Sequence, residues 1–164
     1  MRYLETPEVI AAFGDPEPFL LSDGTPGPGW EAEILSYITL PAPLPLAWDP
    51  ERRVDRMRCH RRIAARLELA LETIHTTPEV WATIDDFGGC YQWRAVRGAK
   101  SLSRHCWGIA VDLDVRDNPM GSMGKTHQFV RDAFAAQGFM WGGLFERPDP
   151  MHFEFADPAF LGLG

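Results

Sequence analysis

From Gly108 to Val115 the side chains alternate, with Ile109, Val111, Leu113 and Val115 on one face of an extended chain and Gly108, Ala110, Asp112 and Asp114 on the other. The segment MHFEF at 151–155 repeats the arrangement, His152 and Glu154 pointing one way and Phe153 and Phe155 the other. A strand with one apolar face and one small or ionisable face buries the first and leaves the second open. Paired side by side, two such strands make a polar floor on which Asp112 and His152 meet. His105 has the wrong parity to share Asp112's face on a straight strand. It joins them only if the chain turns first, and Gly108 permits that turn.

The rest of the chain supplies helices to cover the apolar face. Val54 to His75 carries Met57, Ile63, Ala64, Leu67, Ala70, Leu71 and Ile74 at three- and four-residue steps, which predicts one amphipathic helix over this span. Thr126 to Gln137 is a second, capped by Thr126 and stopped by Gly138, with Phe129, Ala133 and Phe134 facing inward. Pro7 after Thr6, and Gly14, bracket a short helix over 7–13. Tyr91 to Val96, Phe139 to Trp141 and Ile34 to Leu40 are further strand candidates. Helices and strands mix without a βαβ repeat, so the expected fold class is α+β, a small, mostly antiparallel sheet packed with helices.

The 164 residues favour a single domain able to bury a core unaided. Nine of the 14 prolines fall in the first 50 residues, so residues 1–50 are expected to wrap a core built from 51–164 rather than fold as a domain. The stretch from Asp15 to Trp30 is predicted as loop, and PAPLPL at 41–46 cannot form a central strand.

A net charge of −7 without a long basic run excludes a duplex-coating nucleic-acid binder or a polybasic membrane module. The seven arginines between Arg52 and Arg66 lie among Asp and Glu and read as a solvated surface. Cys59, Cys90 and Cys106 form no CxxC pair and are expected as reduced thiols. No apolar stretch is long enough to span a membrane, and Glu5 and Glu8 interrupt any signal-peptide core, so synthesis in the cytoplasm without membrane insertion is expected.

Two imidazoles and one carboxylate, His105, Asp112 and His152, are a three-ligand set suited to catalytic Zn²⁺, which keeps a fourth position for water. Asp149, three residues before His152 and held between two prolines in RPDPMH, is placed to act as general base. GSMGKT at 121–126 ends like a phosphate-binding loop, but the glycine that such a loop needs falls at Pro119. HExxH and GxSxG are absent. His60 is expected on the helix face as a partly buried core residue, His75 near the helix end and His127 in solvent; Cys106 is expected to pack.

The motif SxHxxGxAxD, here Ser103, His105, Gly108, Ala110 and Asp112, followed by WGG at 141–143 and DxxHFE from Asp149 to Glu154, resembles the signature of the zinc D-Ala-D-Ala carboxypeptidase and L-alanyl-D-glutamate peptidase family. This family includes VanY-type peptidases and several phage endolysins. The resemblance runs from about Tyr91 to Phe155 and implies the Hedgehog/DD-peptidase type of fold. It implies Zn²⁺ on His105, Asp112 and His152, with Asp149 as catalytic base. The Asp three residues before the last His is similar to the L-alanyl-D-glutamate branch, since the other branches more often carry Glu there.

The resemblance also implies an upstream arginine that stabilises the developing oxyanion, and YQWRAVRG offers Arg94 or Arg97. Alternation with Tyr91 and Trp93 favours Arg94. Ser103 and Arg97 are expected to bind substrate or shape its loop, and Glu154 to orient a metal ligand. The implied partner is the peptidoglycan stem peptide, met by a monomer after release by holin or lysis. L-Ala-D-Glu is the expected bond. D-alanyl-D-alanine carboxypeptidase activity, or a non-catalytic wall-binding or phage structural module on the same fold, are the competing readings.

Overall fold

A computed structural model describes residues 2–157 and 159. Six strands form one sheet in the order β2-β1-β3-β4-β6-β5. They are β1 (Leu35–Leu46), β2 (Asp49–His60), β3 (Phe87–Gly89), β4 (Ala110–Leu113), β5 (Phe139–Trp141) and β6 (His152–Phe155). All pairings are antiparallel except the contact of β1 with β3 at Leu46 and Phe87. The helices are α1 (Thr6–Phe13), α2 (Pro28–Ile34), α3 (Ala64–His75), α4 (Pro78–Trp81) and α5 (Gln128–Ala136). The class is α+β, as the sequence implies. No helix among the described residues is long and apolar enough to cross a membrane.

β4 and β6 lie side by side, with Asp112 opposite His152 and Val111 opposite Phe153. The apolar face carries the core. Phe153 stacks on Phe134 of α5 with ring centroids 4.2 Å apart, and Phe139 meets both Phe134 and Phe155 edge-on. α3 packs on β1 and α5 through the buried Leu67, Ala70, Leu71 and Ile74. The opposite face of β4 and β6 is left to Asp112, His152 and Glu154.

Four expected elements are corrected. Residues 54–60 are strand rather than the start of a helix: Met57 and Cys59 alternate inward in β2 against β1, and the 3.6-residue period begins at Ile63. The step from Val54 to Met57 fits the helical period and that from Met57 to Cys59 the strand period, and pairing with β1 decides between them. β1 runs on through Pro41, Pro43 and Pro45. Pro41 and Pro43 fall where its ladder slips between Thr39 and Leu44, Pro45 stands opposite Arg53 just before a second slip, and the other edge of β1 is paired only at Leu46.

Residues 91–96 form no strand beyond one bridge from Ala95 to Leu102. Their backbone bonds the turn carrying His105 instead, the Gln92 N–H donating to the His105 carbonyl and the Ser103 N–H to the Arg94 carbonyl. The segment 15–30 holds a 3-10 turn at Glu17–Phe19 and the start of α2, so it is not all loop.

Helix caps differ as well. Glu5, in a capping box with Glu8, caps α1, and the His127 imidazole rather than Thr126 caps α5, accepting from the Phe129 N–H at 3.1 Å. Phe129 is 36% exposed; Val130, Ala133 and Phe134 point inward. His60 ends β2, fully covered, rather than riding a helix face.

The first 50 residues do more than wrap. α1 and α2 bury Val9, Phe13, Trp30 and Ile34, and β1 is an integral strand. The Trp30 indole N–H donates to the Cys106 carbonyl at 3.1 Å, and that of Trp107 to the Gly14 carbonyl at 2.9 Å. Both bonds pin this segment onto the turn that carries His105.

Candidate metal centre and substrate cavity

Ser103 caps a single 3-10 turn, Arg104–Trp107, its hydroxyl accepting from the His105 N–H at 3.4 Å. Gly108 ends the turn in the left-handed region, with φ 64°. A Cβ there would sit 2.9 Å from the backbone nitrogen of His60, so both conformation and space require glycine. The chain reverses at Gly108 and enters β4, which is how His105 reaches the face of Asp112. One atom each from His105, Asp112 and His152 lie within 4.8 Å of one another.

Their orientations follow from their partners. His105, 2% exposed, donates through Nδ1 to the Cys90 carbonyl at 2.7 Å, which turns Nε2 towards Asp112. That Nε2 is buried without a hydrogen-bond partner, 3.3 Å from Asp112 Oδ1. Nε2 of His152 donates to Glu154 Oε2 at 3.1 Å, turning Nδ1 to Asp112 Oδ1 at 2.9 Å. Burial works against a charged His152, but its bonds to Asp112 and Glu154 outweigh it and raise the imidazole to about 10. Burial likewise works against ionised Asp112, and the two histidines overcome it and hold the carboxyl well below the ordinary range.

An unpartnered imidazole nitrogen facing a carboxylate oxygen, with a second imidazole on the same oxygen, is an arrangement that a cation between them satisfies. The donor set of two nitrogens and one oxygen fits Zn²⁺ with an open position. Cys106 is no ligand; its thiol donates to the Arg94 carbonyl at 3.1 Å.

Asp149 lies on the turn entering β6, its N–H donating to the Gly142 carbonyl and its carbonyl accepting from the His152 N–H. A Cβ on Gly142 would come within 2.5 Å of the Asp149 carbonyl, so the WGG segment at 141–143 lets this turn close. Asp149 Oδ1 is covered and unpartnered, and burial raises its carboxyl, partly offset by His152. The GSMGKT loop braces the same turn: the Gly121 N–H donates to the Pro148 carbonyl and the Thr126 hydroxyl to that of Pro150.

A cavity of about 540 Å³ opens beside the cluster, lined by Arg94, Arg97, Ser103, Asp149, His152 and Glu154. Arg94 reaches within 4.0 Å of Asp112 Oδ2. The structure therefore brings Arg94, Arg97 and Ser103 to one cavity, although the strand alternation used to orient Arg94 does not exist.

Arg104, Tyr3, Phe145 and Arg147 line the same cavity and carry no sequence signal as site residues. Arg104 is buried, with Nε 3.9 Å from Glu154 Oε1, and its guanidinium lies 5.0 Å from the centroid of Tyr3. A second cavity, of about 340 Å³, abuts His105 and shares no lining residue with the first.

Among the described residues a second group, Asp85, Asp114 and Asp117, also gathers. It has no imidazole or thiolate, and its two outer members are exposed.

No curated protein and no solved structure matches the chain. A family model described as D-alanyl-D-alanine carboxypeptidase matches residues 97–155, a little over a third of the chain. The matched span runs from Arg97 through the His105 turn, β4 and the Asp149 turn to the end of β6, so the likeness covers the segment that carries His105, Asp112, Asp149 and His152.

Proposed function

We propose that this chain is a zinc-dependent peptidase that hydrolyses an amide bond in the stem peptide of bacterial peptidoglycan, between L-alanine and D-glutamate. The observation that carries this reading is the His105–Asp112–His152 cluster, with its orphaned imidazole nitrogen and Asp149 on the adjoining turn. His105 Nε2, Asp112 and His152 Nδ1 would hold the metal. When bound, Zn²⁺ supplies Lewis acidity, lowering the pKa of water to about 7 and polarising a carbonyl.

Asp149 takes a proton from the attacking water as its oxygen bonds the amide carbon, then returns the proton to the nitrogen as the C–N bond breaks. A raised carboxyl pKa suits a group that must both accept and give up that proton. Arg94 donates to the oxyanion, and Glu154, accepting from His152 Nε2, keeps Nδ1 turned to the metal position. Arg94, Arg97, Arg104 and Arg147 surround the cavity of a chain of net charge −7, which suits a substrate bearing carboxylates.

Two observations favour an internal bond: aspartate rather than glutamate as base, and cavities meeting the cluster at both His152 and His105, giving room on either side of a scissile amide. The description of the matching family favours the second reading, removal of a terminal D-alanine.

Mass spectrometry of muropeptides incubated with zinc-loaded protein, beside a chelated control, separates them. Metal-dependent separation of L-Ala from the D-Glu stem is the expected result. Release of terminal D-Ala alone establishes the carboxypeptidase reading, and no cleavage at full zinc occupancy leaves a binding module.

A further inference from the structure

The hairpin of β1 and β2 turns through two residues, Ala47 and Trp48, between the paired Leu46 and Asp49. Two-residue hairpin turns favour glycine or asparagine at positive φ. Among the described residues, only Asp114 has positive φ without being glycine, so Ala47 and Trp48 turn the chain without that conformation. The indole of Trp48 is 65% exposed and contributes little to the core. Exposed large side chains such as Tyr37, Met123 and Leu144 occur elsewhere on the surface, and what singles out Trp48 is the cavity that it lines.

Its position is informative. Trp48 lines the second cavity together with Gly88, Gly89, Tyr91, Gln92 and His105. The floor is bare: Gly89 has φ 116°, and a Cβ there would meet nothing within 4 Å. Beyond it Trp48, Gly89 and Tyr91 also line an adjoining cavity of about 250 Å³ with Arg52 and Arg58. The Arg58 guanidinium sits 5.3 Å from the Tyr91 ring centroid. Next to His105 this arm therefore presents the Trp48 and Tyr91 rings, the Gln92 amide and glycine backbone, with Arg52 and Arg58 farther out, whereas the arm at His152 presents four arginines and carboxylates at the cluster itself.

The two arms ask for different chemistry. Guanidinium groups recognise carboxylates. Flat aromatic rings beside an amide, which both donates and accepts, suit a neutral ring with an apolar C–H face, hydroxyls and an acetamide. We propose that the Trp48 arm is a saccharide subsite, taking the N-acetylated amino sugar to which the stem peptide is attached. Resting on the function proposed above, it places the glycan-proximal half of the substrate at His105 and the acidic half among the arginines.

The test compares the ratio of kcat/KM for a disaccharide-linked stem peptide over the same peptide without sugar, in the zinc-loaded protein and in Trp48→Ala. The expected ratio is about tenfold in the unaltered protein, the factor that 1.4 kcal/mol corresponds to, and close to one in Trp48→Ala. Trp48→Phe should retain most of the preference. A ratio of one in the unaltered protein, or one unchanged by Trp48→Ala, overturns the subsite.

Saturation-transfer NMR with the free disaccharide reads the subsite without turnover. Sugar signals lost in Trp48→Ala support it even where no peptide is cleaved, a result that would overturn the hydrolytic reading alone. No sugar signal at millimolar disaccharide overturns the subsite itself.

Discussion

In the function proposed above, each ionisable group at the cluster has a separable task. Asp149 is not needed to hold the metal in the proposed mechanism, so Asp149→Ala should retain one equivalent of zinc while kcat falls by about 10²–10⁴-fold, the range for loss of a general acid–base. Muropeptide turnover beside metal analysis checks both halves. Arg94→Ala should likewise keep zinc and lose about 10²–10³ in kcat, as expected for one oxyanion donor. A KM effect without a kcat effect would reassign Arg94 to substrate binding. Alternation put Asp112 on the polar face with His152 and Glu154 in the sequence, whereas His105, of the wrong parity, and Asp149 joined them only through the family-like motifs. Arg104 was not legible there, because its partners, the Leu4 carbonyl and Glu154, lie 100 and 50 residues away and leave no local pattern.

At the scale of elements, the turns that aim the side chains matter more than the strands. Gly142 is the sharpest case: Gly142→Ala places a methyl 2.5 Å from the Asp149 carbonyl. Denaturant unfolding should show a loss of about 1–3 kcal/mol, as for other overpacked sites, and turnover should fall with it as Asp149 is displaced. Trp30→Ala should cost about 3–5 kcal/mol, since it empties a fully buried site and removes the bond to the Cys106 carbonyl behind His105. Elements with one strong period, α3 from Ile63 and β4 with β6, were readable from sequence. Residues 54–60 were not, because Val54 and Met57 carry on the helical step of the residues after them while Met57 and Cys59 alternate as in a strand, and the partner strand β1 decides. Nor were residues 91–96, whose backbone hydrogen bonds go to the His105 turn rather than to a neighbouring strand.

Across the whole molecule, His60 joins three parts. It donates through Nε2 to the Phe13 carbonyl at the end of α1 and accepts at Nδ1 from the Arg62 N–H before α3, at the foot of β2. Burial lowers this imidazole to about 4, with nearby Arg62 and Arg61 adding to the effect against the bond to Phe13. A histidine whose folded pKa lies below its unfolded value near 6.5 gives its full stabilisation above that value and loses it as pH falls towards 4. Unfolding free energies should therefore drop by on the order of 3 kcal/mol more in the unaltered protein than in His60→Gln between pH 7.5 and 4. Parallel slopes for the two proteins would show that His60 is not the group responsible. The involvement of residues 1–50 in this joint, and of Tyr3 in the cavity wall, was hidden by the prolines, which signal irregular backbone but not where it packs.

The central claim is that one zinc ion sits among His105, Asp112 and His152, and metal analysis of purified variants tests it most directly. One equivalent of zinc in the unaltered protein and in Asp149→Ala, with almost none in His152→Ala, is the predicted pattern. Full zinc stoichiometry retained in His152→Ala would contradict it.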